Sequence, residues 1–190
     1  MRRPVYLLIA LALLAAGCGK PRPSVILISI DSLRIDEIDR EVNGKAVTPR
    51  LSALARESLS FDRAIAAAPW TTPSMMTVMT GMHPRAHGVA AYDRALSPSV
   101  PQLAQQFKEA GYGTAAFVSA ATLRKSFGFG PGFDSYTVEH YGHSQRSSKH
   151  LVRAMIEQIT AWKGEPFFLW VHLWDPHYDY IPPEQFDLFR

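Results

Sequence analysis

The sequence predicts an α/β domain with a mainly parallel sheet and helices on both faces. The run of residues 25–30 is apolar on both faces, which is typical of a strand buried inside a parallel sheet. Two further strand-like segments follow at residues 113–118 and 167–172. Segments with helical periodicity separate these strands, and this alternation favours parallel pairing between two layers of helices.

The predicted helices have recognisable first and last residues. Thr48 and Pro49 are expected to begin a helix that continues to about Ser60, and Gly164 is expected to close the last one. The other predicted elements are helices at 73–80, 99–111 and 147–163, a possible strand at 61–66, and a loop at 124–148 rich in Gly, Phe, Tyr and Ser. The core-facing stripe of the last helix is predicted to consist of Val152, Met155, Ile156 and Ile159.

The first 24 residues resemble the export region of a bacterial lipoprotein. Two arginines precede an apolar run that is too short for a comfortable membrane span. Residues 14–18 resemble a lipobox, and lipidation explains Cys18, the only cysteine, better than a disulfide or a metal site does. We therefore expect a signal peptide at 1–17, a lipid-anchored tether at 18–24, and a place in the bacterial cell envelope, at the outer membrane or facing the periplasm. The alternative is an ordinary signal peptide with cleavage nearby.

Charge argues against one class of partner. The chain has 20 basic and 17 acidic residues, and 47% of its residues are hydrophobic, enough for one ordinary domain core. Removal of the predicted signal takes away Arg2 and Arg3 and leaves 18 basic against 17 acidic residues, a net charge of +1. The sequence also has no run rich in Lys and Arg and no aromatic ladder. We therefore expect no nucleic-acid partner.

A hydroxyl-rich turn at residues 70–81 is the first candidate for chemistry. Thr72 is expected to cap the following helix, and Pro73 to take its first position, where the missing N–H costs nothing. Thr71 would then lie beside a helix amino terminus, which favours an oxyanion or phosphoryl group. Its hydroxyl is a candidate nucleophile that needs a base or a metal cation for activation. The structural alternative is a Thr-Pro pair that only caps a helix.

Asp31 follows the apolar run 25–30 and is the candidate metal ligand. The carboxyl ends of parallel strands form the edge at which open α/β sheets bind ligands, although an aspartate there is often only a cap or turn residue. Oxygen-only ligand sets favour calcium or magnesium, and mixed histidine and carboxylate sets favour zinc or manganese, so the divalent metal stays open. Together, Asp31 and Thr71 suggest metal-assisted hydrolysis of an anionic ester.

The order and spacing of several segments resemble the sulfatase family of the alkaline phosphatase superfamily. These segments are residues 25–34, 48–51, 69–74 and 80–89, followed by 103–117, 132–134 and 167–177. The resemblance implies an alkaline-phosphatase-like fold and a metal-dependent hydrolase of sulfate or phosphate esters. Since the family places further metal ligands beyond the position of Arg190, we expect residues 25–190 to be the amino-terminal part of a catalytic domain.

Three departures from the family pattern affect the expected chemistry. Typical members convert a cysteine or serine to formylglycine within Cys-x-Pro-x-Arg, whereas Thr71 and Met75 stand at the cysteine and arginine positions here, which argues against formylglycine. The family's sulfate-binding Gly-Lys-Trp-His segment is replaced by Phe-Val-Ser-Ala-Ala at 117–121. Both departures favour phosphoryl ester or phosphoryl transfer chemistry. Ser32 replaces the second of two paired aspartates, so the ion or its coordination is expected to differ.

The motif at the end of the last predicted strand adds candidates. The family places a substrate-contacting or proton-donating histidine at the position of His177, and an imidazole suits protonation of a leaving alkoxide. His172 and Asp175 are predicted substrate contacts, with a core position as the alternative for His172. The remaining histidines are expected to be structural (His83, His87) or on the surface (His140, His143, His150).

Three functions stay open at this point. The first is a membrane-anchored hydrolase or phosphoryl transferase that acts on an anionic ester. The second is a non-catalytic lipoprotein that keeps the fold as a binding module, which Met75 and Ser119 favour. The third is a sulfatase that uses an unmodified threonine. Turnover, and which anion is released, would separate them.

Overall fold

Four parallel strands form the central sheet of the computed structural model, which describes residues 22–139 and 148–177 together with Glu184 and Asp187. The described residues contain six strands in all, which are β1 (Val25–Ile30), β2 (Glu41–Val42), β3 (Lys45–Ala46), β4 (Gly113–Val118), β5 (Ser135–Val138) and β6 (Phe167–Leu173). The central sheet has the order β1-β6-β4-β5, and β2 and β3 pair antiparallel in a separate ribbon. The predicted parallel sheet is confirmed, but the prediction that residues 25–30 are buried on both faces is wrong, because β1 lies at the edge of the sheet and Ile26 and Ile28 are 46% and 56% exposed.

Five α-helices accompany the sheet in the described residues. They are α1 (Pro49–Arg56), α2 (Thr71–Thr80), α3 (Pro84–His87), α4 (Leu103–Glu109) and α5 (Ser148–Ala161), with short 3-10 helices at Ile35–Glu37, Ala121–Leu123 and Lys125–Phe127. Within the described ranges, no helix is both long enough and apolar enough to cross a membrane. The predicted signal peptide, Cys18, His140 and His143 lie outside the described residues.

Alternation along β4 and β6 divides the core into two layers, one on each face of the sheet. On one face, Phe168 and Trp170 pack with Met76 and Met79 of α2. On the other face, apolar residues of β4 and β6 pack with Leu151 of α5. Burial of each large side chain contributes about 1.5 to 3 kcal/mol, so both layers stabilise the sheet. The prediction of helices on both faces is confirmed.

Several predicted elements differ from the structure. The helix predicted at 99–111 begins at Leu103, with Gln102 as its N-cap. The first helix ends at Arg56 rather than near Ser60, with Glu57 as its C-cap. Residues 61–66 form no strand, and Phe61 and Ile65 are exposed, because an isolated β-prone run without a neighbouring strand has no partner for its backbone groups. Part of the predicted loop is instead the strand β5, whose backbone pairs with β4.

The core-facing stripe of α5 is rotated from the predicted one. Met155 and Ile159 pack against the sheet as expected, together with the fully buried Leu151. Val152 and Ile156 were predicted to face the core and are exposed at 37% and 55%. The apolar residues of α5 form two adjacent stripes, and within each stripe they are four residues apart. Only the stripe that contains Leu151 packs against β4 and β6.

Candidate active site

Helix α2 places Thr71 at its first position. Trp70 is the N-cap residue, with extended backbone at φ −148° and ψ 161°. The predictions that Thr72 caps this helix and that Pro73 opens it are wrong, because the hydroxyl of Thr72 is buried and donates to the carbonyl of Thr122 at 3.2 Å. Pro73 is the third helical residue, where it costs no intrahelical hydrogen bond since the first N–H groups of a helix have no such partner.

Asp31 and Thr71 meet at the carboxyl edge of the sheet. Thr71 Oγ1 donates a hydrogen bond to Asp31 Oδ2 at 2.8 Å. The N–H of Asp31 donates to the carbonyl of Leu173 at 2.9 Å, which extends the pairing of β1 with β6 by one residue. This bond fixes the backbone position from which the Asp31 side chain projects. The structure thus joins the predicted nucleophile and the predicted metal ligand, which are forty residues apart.

His172 lies behind Asp31 and is almost fully buried. Its Nε2 is 3.4 Å from Asp31 Oδ2, and its Nδ1 is 2.8 Å from the hydroxyl of Ser29. The contact to Asp31 is long and poorly aligned for a hydrogen bond, and Nε2 has no other partner among the described residues. The described polar partners of the His172 ring are Asp31 and Ser29, and its predicted role as a substrate contact stays a prediction.

The surroundings of Asp31 favour its charged form. Burial by itself raises the pKa of this carboxyl, but contacts with His172 and Thr71, together with the electrostatic influence of His172 and His177, outweigh burial and lower the pKa below its ordinary value. Asp31 is therefore a carboxylate at neutral pH. A carboxylate beside a hydroxyl suits two roles, orientation of that hydroxyl and binding of a cation.

Asp175 and His177 lie just beyond β6. Asp175 accepts a hydrogen bond from the hydroxyl of Ser148, the first residue of α5. The ring of His177 stacks on Trp174 with a centroid distance of 3.8 Å, and its charge acts on Asp31. The structure brings His177 to the region of Asp31 and ties Asp175 to α5, and contact of either residue with substrate stays a prediction.

His83 and His87 have the structural contacts that the sequence predicts. His87 is buried, its Nδ1 accepts from the N–H of Val89 at 3.1 Å, and its Nε2 is 3.2 Å from the hydroxyl of Thr77. Burial lowers the pKa of His87, which favours a neutral ring. His83 caps α3 by accepting from the N–H of Arg85.

Ser29 is a residue of this region that sequence reasoning missed. It is the one polar residue of β1, where it lies opposite His172 and accepts a hydrogen bond from Trp170 Nε1 at 3.1 Å. A hydroxyl in an otherwise apolar strand needs a partner where neighbouring side chains shield it from water, since an unpaired buried polar group costs free energy. That exception in the pattern is the signal that marks Ser29 in the sequence.

Comparison with known proteins assigns the chain to a family. Residues 23–189 match the family model for sulfatases. The chain belongs to the sulfatase family. This sulfatase-family chain is 34% identical to mouse steryl-sulfatase over 134 residues and 32% identical to an arylsulfatase of Clostridium perfringens over 94 residues. The matched segments cover 60% and 49% of this chain but only 22% and 20% of those relatives.

Solved structures support the fold. The phosphonate monoester hydrolase of Agrobacterium radiobacter has a TM-score of 0.69 at 21% identity, and it matches 89% of this sulfatase-family chain and 44% of its own. The periplasmic domain of EcEptC from Escherichia coli, determined in complex with zinc, has a TM-score of 0.65 at 20% identity, with 89% and 48% covered. The predicted alkaline-phosphatase-like fold is confirmed, and this chain spans about half of each of those chains.

The donors at the site fit part of the metal centre that the family implies. Asp31 supplies carboxylate oxygens and Thr71 a hydroxyl oxygen, and both are suited to a hard divalent cation. The unpartnered Nε2 of His172 lies next to them. Within the described part of the chain, no group of three or more His, Cys, Asp and Glu residues gathers around one point. Asp31 and Thr71 would therefore hold such an ion only together with ligands from outside that part.

Proposed function

We propose that this chain carries the nucleophile half of a metal-dependent hydrolase of sulfate or phosphate esters, with phosphoryl esters favoured. The observation that carries the proposal is the hydrogen bond from Thr71 Oγ1 to Asp31 Oδ2, at the first residue of a ten-residue helix. An anionic ester at this helix end meets free N–H groups and a partial positive charge. Family membership supports ester hydrolysis as the reaction class.

Thr71 Oγ1 attacks the phosphorus or sulfur atom, and the ester oxygen leaves. The hydrogen bond to Asp31 orients Oγ1, and the proton of Thr71 passes through the Asp31 carboxylate to solvent. Because its pKa is lowered, Asp31 is only a weak base for this transfer. A divalent cation, when bound, would lower the pKa of the Thr71 hydroxyl, as activation requires. His177 donates a proton to the leaving oxygen, and water then cleaves the covalent ester on Thr71.

Two positions support phosphoryl over sulfate chemistry. Met75, a residue of α2 at the position of the family's arginine, packs against the core. Ser119, in the segment where the family has its sulfate-binding lysine and histidine, is buried and donates to the carbonyl of His172 at 2.8 Å. Neither side chain offers a cation to a sulfate group. The same observation favours the second candidate, a binding module without turnover.

Substitution of Thr71 in the full-length protein tests the proposal. Thr71→Ala should reduce turnover of a phosphonate monoester or phosphate diester by about a thousandfold or more, because it removes the attacking oxygen. Thr71→Ser should keep measurable turnover, and Thr160→Ala, which removes a hydroxyl bonded within α5 to the carbonyl of Ile156, should behave like the wild type. Turnover that survives Thr71→Ala contradicts the proposal. Stoichiometric binding of the ester without turnover would favour the binding module.

Mass spectrometry of the peptide that contains Thr71 tests the nature of the nucleophile. We propose that Thr71 remains an unmodified threonine, since the residues around it depart from the formylglycine signature. The expected peptide mass is that of the genetic sequence. Release of sulfate from an aryl sulfate by the unmodified protein, abolished by Thr71→Ala, would instead support a sulfatase with a threonine nucleophile.

We also propose that Cys18 anchors the protein to a bacterial membrane through a lipid. The support is the sequence of residues 14–18 and the lack of any second cysteine in the chain. Metabolic labelling with a radioactive fatty acid should mark the wild-type protein and leave Cys18→Ser unlabelled. Equal labelling of both proteins, or release of the wild type into the soluble fraction, would contradict the proposal.

A further inference from the structure

A row of hydrogen-bonding side chains connects the core to the candidate metal ligand. Trp170, Ser29, His172 and Asp31 follow one another along the α2 face of β1 and β6, and we call them the Asp31 support chain. Trp170 and His172 are two residues apart on β6 and therefore lie on the same face of the sheet. Ser29 lies directly opposite His172 in the strand register. The parallel pairing of β1 with β6 therefore fixes the spacing of the chain, with its buried end at Trp170.

The distances assign a direction to the hydrogen bonds. Trp170 Nε1 can only donate, and it donates to Ser29 Oγ at 3.1 Å. The single proton of the Ser29 hydroxyl then has two acceptors in reach, His172 Nδ1 at 2.8 Å and the carbonyl of Val171 at 3.4 Å. We infer from the shorter contact that Ser29 donates to Nδ1. A neutral imidazole whose Nδ1 accepts carries its proton on Nε2, which faces Asp31.

The opposite arrangement is electrostatically unfavourable. If Nδ1 carried the proton, the Nε2 lone pair would face Asp31 Oδ2 at 3.4 Å, in a place where Nε2 is buried and has no other described partner. A lone pair against a carboxylate oxygen is repulsive, and a buried acceptor without a donor costs free energy. Both ends of the ring therefore favour the proton on Nε2.

We propose that His172 is a positioning residue that holds an Nε2–H against Asp31, in a tautomer that Ser29 and Trp170 fix. The proposal rests on the proposed role of Asp31 as a metal ligand. Thr71 and His172 approach the same oxygen, Oδ2, from the α2 side and from the sheet side. The carboxylate is thereby held in one orientation before a cation arrives. The 3.4 Å contact is of the kind that tightens when a site is filled.

Nitrogen NMR of the full-length protein labelled with ¹⁵N-histidine tests the tautomer directly. Loss of signals in His172→Gln assigns the ring, and long-range ¹H–¹⁵N spectra show which nitrogen carries the proton. We expect protonated Nε2 in the wild type and a shift toward protonated Nδ1 in Ser29→Ala. His87 is the internal control, because its Nδ1 accepts from Val89 and should keep a protonated Nε2 in every variant. A protonated Nδ1 on His172 in the wild type overturns the proposal.

Binding of Mn²⁺, measured by calorimetry without substrate, tests the positioning role. His172→Leu should bind Mn²⁺ about 10 to 100 times more weakly than the wild type, as is usual when a partner of a metal ligand is removed. His172→Gln should recover most of the affinity, because its amide N–H occupies the place of Nε2–H. Equal Mn²⁺ affinity of the wild type and a folded His172→Leu overturns the positioning role.

Two further variants keep the outcomes apart. If His172→Leu does not fold, Ser29→Ala takes its place, and a Mn²⁺ affinity within twofold of the wild type then counts against the proposal. Asp31→Asn reports on the proposed function instead. Unchanged Mn²⁺ binding by Asp31→Asn contradicts Asp31 as a ligand, whereas the NMR result on His172 does not depend on it.

Discussion

Two carboxylates stand at opposite ends of the same parallel sheet, and their partners differ in kind. Asp134 precedes β5 at the amino edge, where it pairs with Lys108 at 2.8 Å and accepts from the N–H and the hydroxyl of Thr114 at 3.0 and 2.9 Å. Asp31 follows β1 at the carboxyl edge, where its described contacts include the hydroxyl of Thr71 and the buried ring of His172.

The pKa is lowered at both carboxylates, for different reasons. Lys108 is the main cause at Asp134, whose pKa falls despite partial burial because Thr114 also donates to it. At Asp31, burial acts against the charge, and the contacts with His172 and Thr71, together with the electrostatic influence of His172 and His177, outweigh the effect of burial. The amino-edge carboxylate is compensated by a lysine within the fold. The carboxyl-edge carboxylate keeps acceptor capacity beside a hydroxyl, as a cation site requires.

Exchange of each carboxylate for an amide should separate the two ends most strongly. Asp31→Asn should reduce turnover of the preferred ester by about three orders of magnitude, because a metal ligand contributes several kcal/mol to transition-state stabilisation and each 1.36 kcal/mol is tenfold in rate. Asp134→Asn should keep kcat within about twofold, since the site lies at the other edge. The measurement is kcat and KM of the full-length protein with added Mn²⁺ or Zn²⁺.

The melting temperatures of both variants serve as the control for this experiment. Asp31→Asn should melt close to the wild type, because asparagine keeps the shape and an acceptor for Thr71. A large loss of turnover in Asp134→Asn without a loss of stability would contradict the division of roles between the two edges.

Glycine substitution near Asp134 tests how rigid the amino edge is. Gly132 has φ +88°, and an added Cβ would lie 2.2 Å from the backbone nitrogen of Gln105. We expect Gly132→Ala to lower the free energy of unfolding by about 2 to 4 kcal/mol, from overpacking plus a strained left-handed backbone. Gly44→Ala is the matched control, with φ +72° and open space around the added atom, and should lose about 1 kcal/mol.

Urea unfolding of both glycine variants measures the difference. The turnover per folded molecule should stay unchanged in both, since neither glycine touches Asp31 or Thr71. Equal stability losses in Gly132→Ala and Gly44→Ala would mean that the backbone of α4 moves aside at little cost, and that the amino edge is softer than its packing indicates.

The sequence predicted the parallel strands because their apolar runs are long enough to be read without knowledge of their neighbours. It also predicted Asp31 and Thr71 as site residues, from a strand end and a helix start together with the family resemblance. The structure brings the two side chains together, and their role in a site stays a prediction. It did not predict β5, since four residues such as Ser135–Val138 become a strand only through pairing with β4. The exposed Val152 and Ile156 show the same limit, because neighbouring elements decide which stripe of a helix faces the core.

Contacts between distant residues were the part of the site that sequence patterns left open. Thr72 is a residue type that often caps helices. Its hydroxyl instead donates to the carbonyl of Thr122, because the 3-10 helix at Ala121–Leu123 packs against α2. His172 was predicted as a substrate contact with a core position as the alternative, and the strand register places it between Ser29 and Asp31. Its contact with substrate stays a prediction. The contacts of Thr72 with Thr122 and of His172 with Ser29 join residues that are 50 and 143 positions apart, and local spacing does not encode such contacts.

The smallest expected effect concerns the pH dependence of stability at Asp134. Its pKa lies below the ordinary 3.8 in the folded protein, so the carboxylate contributes stability above pH 3.8 that is lost as the pH falls through the folded pKa. At pH 7 Asp134→Asn should lose at most about 1 kcal/mol, since both partners are half exposed and solvent screens the ion pair. Urea unfolding at several pH values should show this gap closing below pH 3.8. A gap that stays constant or widens with acid would contradict a lowered pKa of Asp134 in the folded protein.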